Sequence, residues 1–202
     1  MPDDDKMDFS IIQWWCPMDR FIIRPGNIHV SKSMTKYMRK HEIRTEISSD
    51  ISDTMHRCRM KREFAEGTWI TTDMEKAYAR LAVEGMAFSV DAFVDGEMAG
   101  GLYGVNLGRC FFGESMFSDK ENGSKIALIA LARLLESRGY LMIDCQFRTN
   151  HLESMGGEAV SYEEYSNLLE TGLEGETYIR GNKRNQADKP AENADIFVVK
   201  NV

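Results

Sequence analysis

The feature that most constrains the fold is a helical pattern set between two apolar β-patterns. Apolar residues recur near every 3.6 positions from Asn122 to Arg138, which is typical of an amphipathic helix. Gly139 then supplies a helix stop. Apolar runs at Phe111–Phe112 and Tyr140–Ile143 flank the helix. The unit therefore reads as strand, loop, helix, strand, with the run from Gly113 to Ser118 opening the loop.

Ionisable and amide side chains follow both predicted strands. Glu114 comes after the first strand, and Asp144 and Gln146 come at the end of the second. In open α/β sheets, ligands bind beyond the carboxyl ends of parallel strands, so the three side chains are expected to share one pocket. In a regular strand, Asp144 and Gln146 would point to one face and Cys145 to the other. The alternative is that Asp144 only caps a loop and Gln146 is an ordinary strand-end amide.

The rest of the chain predicts helices first and an antiparallel meander afterwards. Asp95-Gly96 separates two alternating runs and indicates a hairpin turn. Thr72 and Glu75 form a capping-box pattern at the start of a helix, and so do Ser161 and Glu164. The expected fold class is α+β, a mixed sheet flanked by helices.

Composition excludes several classes of protein. The four cysteines form no Cys-x-x-Cys pair, so neither a metal site nor a disulfide framework is expected. No apolar run approaches the roughly 18 residues that suggest a membrane span. The acidic start lacks the pattern of a signal peptide, and we expect a soluble, cytoplasmic protein. The net charge of −7 argues against bulk nucleic-acid binding.

A local basic strip stands out in this acidic chain. Lys32, Lys36, Arg39 and Lys40 fall on one face of a predicted helix and lack acidic partners one turn away. Such a strip is either a solvated face or a phosphate-binding surface. We favour the phosphate-binding surface.

Several separated runs, in order and spacing, resemble the leucyl/phenylalanyl-tRNA–protein transferase family. They are Trp14-Trp15-Cys16-Pro17, His29-Val30-Ser31-Lys32-Ser33-Met34, Gly67-Thr68-Trp69-Ile70, Gly100-Gly101-Leu102-Tyr103-Gly104-Val105, Gly113-Glu114-Ser115-Met116-Phe117-Ser118, Ile143-Asp144-Cys145-Gln146, and His151 with Ser154-Met155-Gly156. The resemblance implies an acetyltransferase-like (GNAT-like) domain over residues 31–175, after a short N-terminal segment (1–30) and before a polar tail (176–202). It also implies an enzyme without cofactors, expected to be a monomer.

The resemblance implies an aminoacyltransferase of the N-degron pathway. It would move Leu or Phe, with Met as a further candidate, from aminoacyl-tRNA to the α-amino group of proteins that begin with Lys or Arg. The catalytic residues implied are Asp144, Gln146 and Glu114, and the basic strip would hold the acceptor arm of the tRNA.

The resemblance also implies an apolar cup for the aminoacyl side chain and an aromatic platform for the terminal adenosine. Leu102 and Phe111 match the family's pocket positions, and Phe112 and Met116 flank them. Core packing explains each of these four residues equally well. Trp69 matches the aromatic residue that stacks on the adenosine.

Two other functions remain open at this point. An acyl-CoA-dependent N-acetyltransferase could share the fold, although the loop from Ser118 to Lys125 has one glycine and two acidic residues, which suits phosphates poorly. A non-catalytic tRNA- or peptide-binding relative is the other.

Overall fold

The computed structural model describes residues 19–63, 68 and 70–174. Within these residues, seven strands form one sheet in the order β2-β3-β4-β5-β6-β1-β7. The strands are β1 (Arg20–Ile23), β2 (Ile43–Ser48), β3 (Ala87–Val94), β4 (Glu97–Leu107), β5 (Cys110–Ser118), β6 (Met142–Gln146) and β7 (Glu158–Val160). The helices are α1 (Lys32–Lys40), α2 (Ser52–Glu63), α3 (Thr72–Val83), α4 (Gly123–Ser137), α5 (Asn150–Ser154) and α6 (Tyr162–Leu173).

The sheet is mixed, as the sequence predicts. Strands β2 to β5 form an antiparallel meander, and the turn between β3 and β4 carries positive φ at Asp95 (52°) and Gly96 (84°). Strand β6 then pairs parallel to β5 after the crossover through α4. The predicted α+β class, with helices flanking a mixed sheet, is confirmed.

Strand β1 lies inside the sheet, between β6 and β7, and is antiparallel to both. It falls within the segment 1–30 that the sequence sets apart, so the sheet includes part of that segment. The division of the chain at residues 30 and 175 otherwise stays a prediction.

Helix α4 covers one face of the sheet, and α2, α3 and α6 cover the other. Alternate residues of a strand pack on opposite faces of the sheet. Phe111 packs in the apolar cluster beneath α4, the α4-side cluster. Cys110 packs with Tyr165 of α6 in the cluster on the other face, the α6-side cluster. The approach of α4 to β4 is close, because a Cβ on Gly123 would lie 1.9 Å from the carbonyl oxygen of Ala99. Glycine is therefore required where α4 begins.

Two local predictions are wrong. The run from Gly113 to Ser118 belongs to β5 and is not a loop, because β4 continues to pair with it as far as Ser118. The N-cap of α3 is Thr71, whose hydroxyl accepts a hydrogen bond from the Met74 amide at 3.2 Å. Thr72 is the first residue of the helix. Either of the two adjacent threonines could cap it by chemistry, and the cap is Thr71 because its backbone is extended.

No described helix has the length and apolar character needed to cross a membrane.

Candidate active site

The parallel pairing of strands β5 and β6 is short and ends inside the sheet. Their parallel pairing runs from Cys110–Met142 to Phe112–Asp144 and ends there, while β5 continues along β4. Each of the parting strands is bulged at this point, β5 at Glu114 and β6 at Cys145. Bulges bend a strand and redirect its side chains. Both bulges therefore lie where the pairing of these neighbouring strands ends, and this unpaired place between β5 and β6 is called the opening.

Glu114 is the extra residue of the β5 bulge, since Gly113 and Ser115 pair with adjacent residues of β4. Its half-buried carboxylate accepts a hydrogen bond from the Tyr78 hydroxyl on α3. Burial raises the pKa of Glu114, the nearby charge of Asp144 raises it further, and the Tyr78 hydrogen bond opposes both. The charge of Asp144 thus acts on Glu114, and the expectation that these two side chains and Gln146 share one pocket stays a prediction.

Gln146 spans the opening. Its backbone is left-handed, with φ of 65°, and its side-chain Nε2 donates to the Gly113 carbonyl oxygen on β5 at 3.1 Å. Within the described residues, Oε1 of Gln146 has no hydrogen-bond donor. The expectation that Asp144 and Gln146 lie two apart on a regular strand is wrong, because the bulge at Cys145 and the left-handed Gln146 interrupt that strand.

Asp144 is completely buried, and three protein groups donate hydrogen bonds to its carboxylate. Oδ1 accepts from the Gln146 amide at 2.8 Å, and Oδ2 accepts from the Tyr165 hydroxyl at 2.7 Å and from the Arg20 guanidinium. Burial raises the pKa of Tyr165, and the hydrogen bond to Asp144 raises it further. No local pattern at Arg20 or Tyr165 indicates this arrangement, since the Arg20 contact spans 124 positions.

The residues of the predicted apolar cup divide between the two faces of the sheet. Leu102 and Phe111 are buried in the α4-side cluster, and half-buried Met116 packs against the same cluster. Phe112 packs against the α6-side cluster instead. Leu102, Phe111 and Met116 therefore lie on the α4 side of the sheet, and Phe112, which alternates with Phe111 along β5, lies on the other side. Trp69 lies outside the described residues.

The basic strip lies on α1. Met34 and Met38 are buried, whereas Lys32, Lys36, Arg39 and Lys40 are exposed. Within the described part of the chain, none of the three lysines forms an ion pair.

Helix α1 also carries an open pocket and a contact to the start of α4. Lys32, Lys36 and Arg39 line this pocket, which has a volume of about 330 Å³. The Tyr37 hydroxyl donates to the Glu121 carbonyl at 3.3 Å, in the loop that joins β5 to α4. Helix α1 therefore contacts the loop that follows β5.

Comparison with known proteins places the chain in a family. Residues 22–170 match the family model described as leucyl/phenylalanyl-tRNA protein transferase. The chain belongs to the leucyl/phenylalanyl-tRNA–protein transferase family. The predicted membership is thereby confirmed, and the match includes Glu114, Asp144, Gln146, the basic strip and Trp69, while Arg20 lies just before it.

Individual transferases of this family are similar over most of their length. The leucyl/phenylalanyl-tRNA–protein transferase of Pseudomonas entomophila is 41% identical over 167 residues, which is 83% of this chain and 74% of that protein. That of Nitrosomonas eutropha is 45% identical over 160 residues, or 79% of this chain and 68% of that protein. Among solved structures, a ribosomal-protein-alanine N-acetyltransferase from Brucella melitensis is similar with a TM-score of 0.36 and 13% identity, over 48% of this chain and 74% of that one. This last similarity concerns the fold alone.

Proposed function

We propose that this chain is an aminoacyltransferase that moves Leu or Phe from aminoacyl-tRNA to the N-terminal α-amino group of a protein. The family match over residues 22–170 supports this reaction. Acceptors that begin with Lys or Arg, and a role in marking proteins for degradation, follow from the same family reading. The observation that carries the proposal is the opening between β5 and β6, with an amide oxygen available at its edge.

The reaction forms a peptide bond from an ester that is already activated. The acceptor amine attacks the ester carbonyl carbon, the new C–N bond forms, and the C–O bond to the terminal ribose breaks. The proton released by the amine ends on the ribose oxygen that leaves. No ATP is required, so the protein has to supply orientation, a hydrogen-bond acceptor for the amine, and exclusion of water.

Gln146 is the group that we assign to the attacking amine. Its NH₂ end is held by the Gly113 carbonyl at 3.1 Å, so its carbonyl oxygen is the end that can accept a hydrogen bond from the amine. Such a bond would direct the nitrogen lone pair at the ester. Asp144 acts on Gln146 through the backbone amide, and Glu114 is assigned to the ammonium end of the aminoacyl group or of the acceptor.

We assign the aminoacyl side chain to an apolar cup at half-buried Met116, with the family's pocket positions Leu102 and Phe111 buried in the cluster against which Met116 packs. All three belong to or pack against one apolar cluster, and half-buried Met116 is the most accessible of them. A missing methylene in such a cup changes binding by only about 1–3 kcal/mol. Selection is therefore expected by size and apolarity, which allows Met as a further substrate. Trp69 keeps its assignment to the terminal adenosine.

One assay tests the function. The protein is incubated with Leu-tRNA or Phe-tRNA, acetyl-CoA, and peptides that begin with Lys or Arg, and the products are weighed by mass spectrometry. We expect peptides extended by Leu or Phe. Acetylated peptides, or binding without any product, would contradict the proposal.

Gln146→Ala tests the assignment of the amide. Loss of the hydrogen-bond acceptor is expected to lower kcat about 100-fold, the scale of a positioned proton-accepting group, and to leave the Kd for aminoacyl-tRNA within about twofold. Single-turnover transfer and filter binding measure the two quantities. Asn167→Ala, which removes an exposed amide from α6, is the matched control. Near wild-type kcat in Gln146→Ala would refute the assignment.

A further inference from the structure

The carboxylate of Asp144 is enclosed by protein groups. Its side chain is 0% exposed, and three donors share its two oxygens: the Gln146 amide on Oδ1, and Arg20 and Tyr165 on Oδ2. A group enclosed in this way is not available to a substrate. Asp144 can influence the reaction through its charge, which acts on Glu114, and through the residues that it contacts.

Arg20 and Tyr165 pack against Asp144 and donate to its Oδ2 atom. Arg20 begins β1 and Tyr165 lies on α6, so the two come from distant parts of the chain. The Arg20 guanidinium lies 4.8 Å from the centre of the Tyr165 ring, and its Nη2 is 3.2 Å from the Tyr165 hydroxyl. Each therefore fixes the other, and both donate to the same oxygen of Asp144.

The other carboxylate oxygen of Asp144, Oδ1, holds the strained backbone of Gln146 through a hydrogen bond. Gln146 has φ of 65°, a conformation that costs a side-chain-bearing residue stability unless its surroundings hold it. The hydrogen bond from the Gln146 amide to Asp144 Oδ1 is the side-chain-to-backbone bond, two residues on, that stabilises such turns. From this backbone the Gln146 side chain reaches Gly113 across the opening.

We propose that Arg20 and Tyr165 are positioning residues that set the orientation of the Gln146 amide through Asp144. The chain of contacts is continuous: Arg20 and Tyr165 hold Oδ2, the carboxylate holds the Gln146 backbone amide, and that backbone directs the side chain at Gly113. The inference rests on the proposed function only in that Gln146 is taken to meet the attacking amine.

Tyr165→Phe tests the inference, because it removes the hydroxyl donor and keeps the ring against Arg20. We expect kcat for Leu transfer to fall about tenfold, the scale of one hydrogen bond to a charged group. The KM for aminoacyl-tRNA is expected to stay within twofold, and the backbone amide resonance of Gln146 is expected to move. Tyr162→Phe, which removes the hydroxyl of an exposed tyrosine at the start of the same helix, is the matched control and should change none of the three.

A double variant separates positioning from general destabilisation. If Tyr165 acts through Gln146, adding Tyr165→Phe to Gln146→Ala should cause no further loss of kcat. A further tenfold loss in that background would overturn the inference. So would a kcat for Tyr165→Phe within twofold of wild type, or a loss of kcat with an unmoved Gln146 amide resonance.

The inference and the proposed function can fail separately. If the wild-type protein transfers no amino acid, the proposed function fails, and the amide resonance of Gln146 still decides whether Tyr165 controls its backbone. A resonance that moves in Tyr165→Phe and not in Tyr162→Phe supports the positioning link. An unmoved resonance overturns it.

Discussion

Glu114 occupies an environment that disfavours its own charge. It is half-buried in a bulge of β5, near a second carboxylate, with one hydroxyl donor from Tyr78. Burial, followed by the charge of Asp144, raises its pKa above the usual range of glutamate. A buried ionisable group of this kind lowers the stability of the fold, and proteins retain such groups at functional sites. The environment of Glu114 is therefore consistent with a functional role.

Glu114→Gln is therefore expected to stabilise the fold at neutral pH. In wild type, the folded state binds a proton more tightly at Glu114 than the unfolded state does, so stability falls as pH rises through the raised pKa. Gln carries no charge, and it removes this loss. The free energy of unfolding, measured in urea at several pH values, should exceed that of wild type at pH 8, with the difference shrinking towards pH 4.

Transfer activity should fall in the same Glu114→Gln variant, since the neutral amide loses attraction for an ammonium group. Glu84→Gln, at the C-cap of α3 and exposed, provides the control and should leave both quantities unchanged. A variant less stable than wild type at pH 8 would contradict this account of Glu114.

Helix α1 illustrates how one element can carry both core and surface functions. Met34 and Met38 anchor it in the α4-side cluster, and its other face presents cations. Helix α2 is different: Arg57 pairs with Asp53 and Asp119, and Lys61 also pairs with Asp119. Paired cations release fewer counterions on binding a phosphate. We therefore propose the α1 strip, and not the cations of α2, as the surface for the backbone of a tRNA acceptor arm.

The double variant Lys32→Ala/Lys36→Ala is expected to weaken aminoacyl-tRNA binding and to leave kcat unchanged at saturation. Removal of two phosphate contacts should lower the slope of log Kd against log salt by about two. Filter binding between low and physiological salt measures the slope. Lys76→Ala, on α3 and paired with Asp73, should have little effect. An unchanged slope in the double variant would mean that the α1 strip is a solvated face.

Elements built from local pattern are the ones that the sequence predicts well. The 3.6-residue pattern and Gly139 predict α4, and Asp95-Gly96 predicts the β3–β4 turn. The bulges at Glu114 and Cys145 are not predictable in this way, because a bulge is a mismatch of register between two strands. The sequence therefore names Glu114, Asp144 and Gln146 as candidates, whereas the geometry of these residues has to come from the structure.

At the scale of the whole molecule, β1 links the strand that carries the site to the last described elements, β7 and α6. It lies between β6, which carries Asp144, and β7, which leads into α6 with Tyr165. This strand, which contains Arg20 and Ile22, has four residues. Its sequence is too short to show a periodic pattern that would indicate a central position in the sheet. Contacts between residues so far apart in sequence depend on topology, and this is why Arg20 and Tyr165 escape prediction.

Ile22→Ala is expected to destabilise the entire fold. Ile22 is 0% exposed in the α6-side cluster, and truncation of such a residue costs about 2–5 kcal/mol. Urea unfolding followed by circular dichroism measures the loss, which should appear in a single transition. Leu173→Ala, at a residue that is 53% exposed, should stay within about 0.5 kcal/mol. A loss of that small size for Ile22→Ala would indicate that β1 is dispensable.

The contact between Gln146 and Gly113 has a chemical consequence for the whole enzyme. Because a peptide oxygen already takes the nitrogen end of the amide, a glutamate in its place would set two electron-rich atoms against each other. On the proposed assignment of Gln146, the attacking amine therefore meets an uncharged hydrogen-bond acceptor, which can orient the nitrogen lone pair without retaining the proton. The proton then has to pass from the amine nitrogen to the ribose oxygen that leaves. Both of these atoms belong to the substrates, so the substrates supply much of the acid–base chemistry.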